Sequence, residues 1–100
     1  MNLQNVIAEY RAKWMQNGKW VEPNLQDAIE FMVTEAVETM EARLRLGNYV
    51  RNNPSYVDAE QVAIEAFDTI MMACVVLDIL GYDLEEVALK KLEYMDNKRS

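Results

Sequence analysis

The chain contains no histidine, and this absence excludes more chemistry than any other feature of its composition. Serine and cysteine triads of the usual kind, histidine general bases and most zinc sites all need an imidazole. Cysteine is nearly absent too. The single Cys74 has no partner for an internal disulfide. Its setting in Ile70-Met71-Met72-Ala73-Cys74-Val75-Val76-Leu77 suits a small buried hydrophobe rather than a nucleophile. That apolar run ends at Asp78, far short of a membrane span. Basic residues are scarce: 10 Lys and Arg against 17 Asp and Glu leave a net charge of -7. A nucleic-acid polymer is therefore not the expected partner, because binding one takes a basic face. A small phosphorylated ligand stays open, since a divalent metal can supply the missing positive charge. The first residues, Met1-Asn2-Leu3-Gln4-Asn5, carry no basic-then-apolar signal pattern, so the cytoplasm is the expected location.

Half of the sequence is apolar (51%), which is enough for a core and argues against disorder. One domain over residues 1–100 is the expected organisation. Only 3 glycines and 2 prolines punctuate it. Leu3, Val6, Ile7, Tyr10 and Trp14 form a one-sided helical stripe that Gly18 stops, and Lys19 to Pro23 reads as a loop. Asn24 caps a second helix with the stripe Leu25, Ala28, Ile29, Met32, Val33, Ala36, Val37, Met40 and Leu44, closed by Gly47-Asn48. After a loop from Tyr49 to Tyr56, a third helix from about Asp58 to Gly81 is apolar almost all round, as befits the middle of a bundle or a subunit interface. Asp83 and Glu86 open a fourth helix in the manner of a capping box, with Leu84, Val87, Ala88, Leu92 and Met95 on its buried side. Its tail, Asp96 to Ser100, is expected to fray. The expected fold class is all-α, a four-helix bundle completed by oligomerisation.

Without histidine, any chemistry falls to carboxylates. Glu35 and Glu38 lie i, i+3 on the side of the second helix away from its apolar stripe, where like charges adjoin. A solvated outer face is the commonest setting for such a pair taken alone. Glu65 and Asp68 repeat the spacing on the third helix, whose same face continues through Thr69, Met72 and Val76. Carboxylates in so apolar a helix need a partner, because an unpaired buried charge costs several kcal/mol. Arg43, Arg45 or Arg51 could pair with them, or a metal could bind. If the two helices pack antiparallel, the four carboxylates face one another and repel unless a cation sits between them. An all-oxygen donor set suits magnesium or manganese, which leave positions for water and substrate phosphates.

Glu35-x-x-Glu38, a gap of 26 residues and Glu65-x-x-Asp68 together resemble the ExxE…ExxD signature of the MazG-like all-α nucleoside triphosphate pyrophosphohydrolases. The likeness continues through Leu80-Gly81-Tyr82-Asp83-Leu84-Glu85-Glu86-Val87 and covers roughly residues 24 to 95. It implies a nucleoside triphosphate substrate, cleaved to the monophosphate and pyrophosphate, in a homodimer or homotetramer. It implies Glu35, Glu38, Glu65 and Asp68 as ligands of Mg2+ (or Mn2+), with Glu35 or Glu38 orienting or deprotonating the attacking water. Thr34 stands where the family has a further glutamate, Met72 where relatives often have an aromatic, and Met95 where they have asparagine. Lys91 keeps the family's lysine position, with Asn97 and Arg99 beyond it as further candidates for substrate contact. Trp14 completes the first helix's stripe, whereas Trp20 lies in a loop and is the candidate for base stacking. The alternative function is a weak or inactive relative that binds a nucleotide or a protein partner.

Overall fold

The computed structural model describes residues 1–52 and 56–99, with side chains over 1–42 and 59–99. Four helices succeed one another: α1 (Leu3–Gln16), α2 (Leu25–Asn52), α3 (Tyr56–Leu80) and α4 (Leu84–Arg99). The described residues include no strand, and none of their helices is long and apolar enough to cross a membrane.

The helix ends follow from short polar side chains and two glycines. Asn2 accepts from the Asn5 amide at 3.0 Å, Asn24 from Asp27 at 2.8 Å and Asp83 from Glu86 at 3.1 Å. Each thereby satisfies a backbone donor that the first helical turn leaves free. Gly18 and Gly81 adopt φ of +68° and +78°. At both, paired bonds close the helix: Lys19 N to Trp14 O with Gly18 N to Met15 O, and Tyr82 N to Leu77 O with Gly81 N to Asp78 O. Such closure needs a left-handed residue, which glycine adopts without strain.

The helix boundaries differ from expectation in three places. α2 passes through Gly47-Asn48 to Asn52, since a glycine inside a long helix costs only about 1 kcal/mol and does not by itself end it. α3 starts at Tyr56, and α4 keeps Asp96 to Arg99 helical, with Lys98 and Arg99 in its last turn complementing the helix dipole. Residues 53–55 of the expected second loop lie outside the described residues, as do the side chains of Arg43, Arg45 and Arg51 and the terminal Ser100.

α2 and α3 supply most of the packing between elements, and α1 lies against α3. Two long consecutive helices with so short a connection can pack along their length only as an antiparallel hairpin. Ala28, Met72 and Val75 are buried where the first turn of α2 meets the C-terminal part of α3, with Trp20, Met32 and Val76 against them. The face that α2 turns to α3 is Ala28, Met32, Glu35, Thr39 and Ala42, each buried or half-buried. This corrects the sequence-based stripe: Ile29, Val33, Val37 and Met40 stay exposed, and Glu35 lies in the seam rather than on the far side. The stripe is wide enough for two faces, and the small Ala28 and Ala42 select the one that allows close approach.

α1 is tied down by polar contacts. Gln4, although buried, has its amide satisfied: Nε2 donates to Asp78 Oδ1 at 2.7 Å and Tyr82 O at 2.9 Å, and Oε1 accepts from Leu84 N at 2.7 Å. It therefore clasps the turn between α3 and α4. No residue of α4 is buried, and Leu89, Leu92 and Tyr94 are more than half exposed. The radius of gyration, 16.5 Å, exceeds the roughly 13 Å of a compact 100-residue domain. The shape is open, with apolar faces of α2 and α4 uncovered.

Candidate metal centre

The antiparallel hairpin brings the two carboxylate pairs together. Glu35, Glu38 and Glu65 each offer an oxygen, and all three oxygens lie within 4.8 Å of one another. Glu38 is exposed, whereas Glu35, Glu65 and Asp68 are half-buried. Asp68, one turn beyond Glu65, does not join that group but stands close enough for its charge to act on Glu35. Three of the four expected ligands are thus assembled, with the fourth beside them.

The electrostatics record the crowding. Glu35 titrates above its ordinary value, first because burial penalises its charged form and then because Glu38, Asp68 and Glu65 add negative charge around it. A hydrogen bond to Glu38 further favours its protonated form. Asp68 is also raised, by burial first and by Glu65 second. Like charges on both helices have no described cation between them, since the arginine pairs that are seen are those of Arg11 with Glu22 and Asp78.

The donor set fits a hard divalent ion. Magnesium held at 2.0–2.1 Å places adjacent ligand oxygens about 3 Å apart and opposite ones about 4.2 Å apart. A span of 4.8 Å is within a small side-chain rotation of that cage. Oxygen-only ligands discriminate against zinc and copper in favour of magnesium or manganese.

One neighbouring residue, Gln61, was not singled out by sequence reasoning. Gln61 donates from Nε2 to Glu65 Oε1 at 2.7 Å, one turn before it, and so orients that carboxylate. The i, i+4 spacing was available as a signal, but many surface glutamines share it. Phe31 lines an open cleft of about 320 Å³ together with Lys19, Trp20, Val21, Pro23, Met72 and Glu35. Trp20 therefore shares this cleft with Glu35, and it packs against the core as well, although its loop position gave no sign of that packing. Lys91 lines a separate cleft of about 430 Å³ on α4 with Tyr82, Glu86, Val87, Lys90 and Tyr94. Its ammonium and that of Lys98 sit 5.2 and 5.3 Å from the Tyr94 ring centroid. Asn97 and Arg99 are exposed near the end of α4. None of the clefts among the described residues holds one of these three together with Glu35. Compared with family models, with curated proteins and with solved structures, the chain matches none at a significant level.

Proposed function

We propose that the chain is a magnesium-dependent nucleoside triphosphate pyrophosphohydrolase of MazG-like type, releasing nucleoside monophosphate and pyrophosphate. The observation that carries this reading is the convergence of Glu35, Glu38 and Glu65 within 4.8 Å from two different helices. Glu35, Glu38, Glu65 and Asp68 would hold Mg2+, or Mn2+ in its place. The ion, when bound, offsets the charge of the triphosphate and of the departing pyrophosphate.

The remaining work belongs to the chain. Glu38, the exposed member of the group, and Glu35 beside it can accept a proton from the water that attacks phosphorus. Water then forms the new P–O bond, the anhydride bond breaks, and pyrophosphate leaves with its electron pair. Gln61 keeps Glu65 oriented. Trp20 stands where it could touch the base. Lys91, Asn97 and Arg99 lie on α4 away from this cleft, so their contact with phosphate or sugar would come from a second copy of the chain. A homodimer or homotetramer would also cover Ile29, Val33, Val37 and Met40 of α2 and Leu89 and Leu92 of α4.

The test is product analysis. Incubated with a panel of nucleoside triphosphates and magnesium, the protein should release pyrophosphate and not orthophosphate. Glu38→Gln and Asp68→Asn should each abolish release. Orthophosphate as the product, or full activity in both variants, would refute the assignment.

A further inference from the structure

The buried arginine of α1 and the cleft beside the carboxylates are joined by one run of contacts. Arg11 is 5% exposed. Its Nη1 donates to Asp78 Oδ2 at 2.6 Å, and its Nη2 pairs with Glu22 Oε1. A longer contact of 3.4 Å links its Nε to Glu22 Oε2, the oxygen that also accepts from the Trp20 indole Nε1 at 2.9 Å. The chain Asp78–Arg11–Glu22–Trp20 thus leads from the end of α3, across α1, to a side chain in the loop before α2. The indole is further fixed by packing on Ala28, Met72 and Val75, and by Trp14, whose ring centroid lies 6.1 Å away. A tryptophan in a loop has no helical backbone to fix it. Here a charge-assisted anchor and a packed side do so.

The anchored ring forms a wall of the 320 Å³ cleft that also contains Glu35. That volume is at the small end of ligand clefts, enough for one planar ring system. The facing groups are the Phe31 ring, which is half exposed, the Met72 thioether and the aliphatic Val21 and Pro23. Lys19 is the only cationic lining residue, and it suits an anionic ligand. No lining side chain carries an amide or hydroxyl, and the Trp20 N–H is already committed to Glu22.

We infer that Arg11 and Glu22 are positioning residues, holding Trp20 in a subsite that grips the faces of a nucleotide's ring while its phosphates reach Glu35, Glu38 and Glu65. The inference rests on the proposed function and adds the residues that fix Trp20 in place.

Calorimetry on the full chain with magnesium tests this using two probes, α,β-methylene-ATP and inorganic tripolyphosphate, which has no ring. The wild type should bind the nucleotide more tightly. Trp20→Ala should weaken nucleotide binding by about 5- to 150-fold and leave tripolyphosphate unchanged. Glu22→Ala should show part of that loss, and none of it once Trp20 is already alanine, because Glu22 acts through the indole. Glu22→Gln keeps an acceptor for the N–H and should restore most of the affinity. In Trp14→Phe, where Trp20 is the remaining tryptophan, nucleotide but not tripolyphosphate should change the emission. An added loss from Glu22→Ala on top of Trp20→Ala, or tripolyphosphate affinity falling in step with that of the nucleotide, would overturn the positioning role. Equal wild-type affinity for both probes would sink the subsite alone, and binding of neither probe would sink the proposed function with it.

Discussion

Glu38→Gln should stabilise the protein when no divalent cation is present, although it removes a proposed ligand. Three carboxylate oxygens stand within 4.8 Å of one another. At that separation each like-charge pair costs about 0.9 kcal/mol in water and about 3.5 kcal/mol at an effective dielectric of 20. Glu38 is exposed and its neighbours are half-buried, so the lower figure is nearer. The substitution relieves two of the three pairs. Part of that relief is already taken by Glu35, whose burial and acidic neighbours hold its carboxyl above the usual range. A net gain of about 1 kcal/mol remains, or about 4–8 °C in Tm for a domain of this length.

The pH dependence carries the sign. A carboxylate raised on folding binds its proton more tightly in the native state, so stability falls as pH rises from the unfolded titration through the native one and is level beyond it. The penalty is absent below the unfolded value, near pH 4. Thermal melts in chelator should therefore show the advantage of Glu38→Gln at pH 7 and its disappearance near pH 4. Adding magnesium should reverse the order, because an ion that binds only the native site adds about 2.7 kcal/mol at a hundred times its Kd. A variant no more stable than wild type at pH 7 in chelator would refute the crowding argument. An equal magnesium response in both proteins would refute the ligand role.

Arg11→Met should cost about 2 kcal/mol by urea titration. Asp78 and Glu22 would lose their charged donor but keep 28% and 34% exposure, so water softens a loss that is larger for fully buried pairs; an unchanged midpoint would remove Arg11 from the clamp. Gly81→Ala should cost about 1–2 kcal/mol from the left-handed backbone alone, because nothing lies within 4 Å of the added methyl. A neutral Gly81→Ala would mean that the turn relaxes freely. Light scattering should give a mass at least twice the 11.6 kDa of the chain, and a monomer would leave the exposed stripe of α2 without an explanation.

The helices were legible because they depend on local signals. Asn24, Asp83, Gly18 and Gly81 act within a turn of their own position, and the structure uses all four as the sequence suggests. Gly47 shows the limit of the same rule. A glycine ends a helix only when the chain beyond it gains by leaving, and α2 with α3 still to pack against does not. Similarly, α4 has apolar residues at helical spacing, yet Val87 and Leu92 remain exposed. Periodicity identifies a face that can be buried, and what buries it is a property of the assembly.

The carboxylates reverse the usual relation between pattern and burial. Hydrophobic periodicity ranks Glu35 as outward-facing, because its neighbours Ile29, Val33 and Val37 are apolar and it is not. Packing instead rewards Ala28 and Ala42, which let α2 approach α3 closely and carry Glu35 into the seam between them. No local rule favours that placement, and on electrostatic grounds it is unfavourable: the seam raises Glu35 and sets it against Glu38, Glu65 and Asp68. The helix pairing that stabilises the chain therefore also concentrates negative charge, and among the described residues no ion pair neutralises it. The proposed function assigns that seam to a bound divalent cation. The i, i+3 pairs legible in the sequence are the residues through which it would bind.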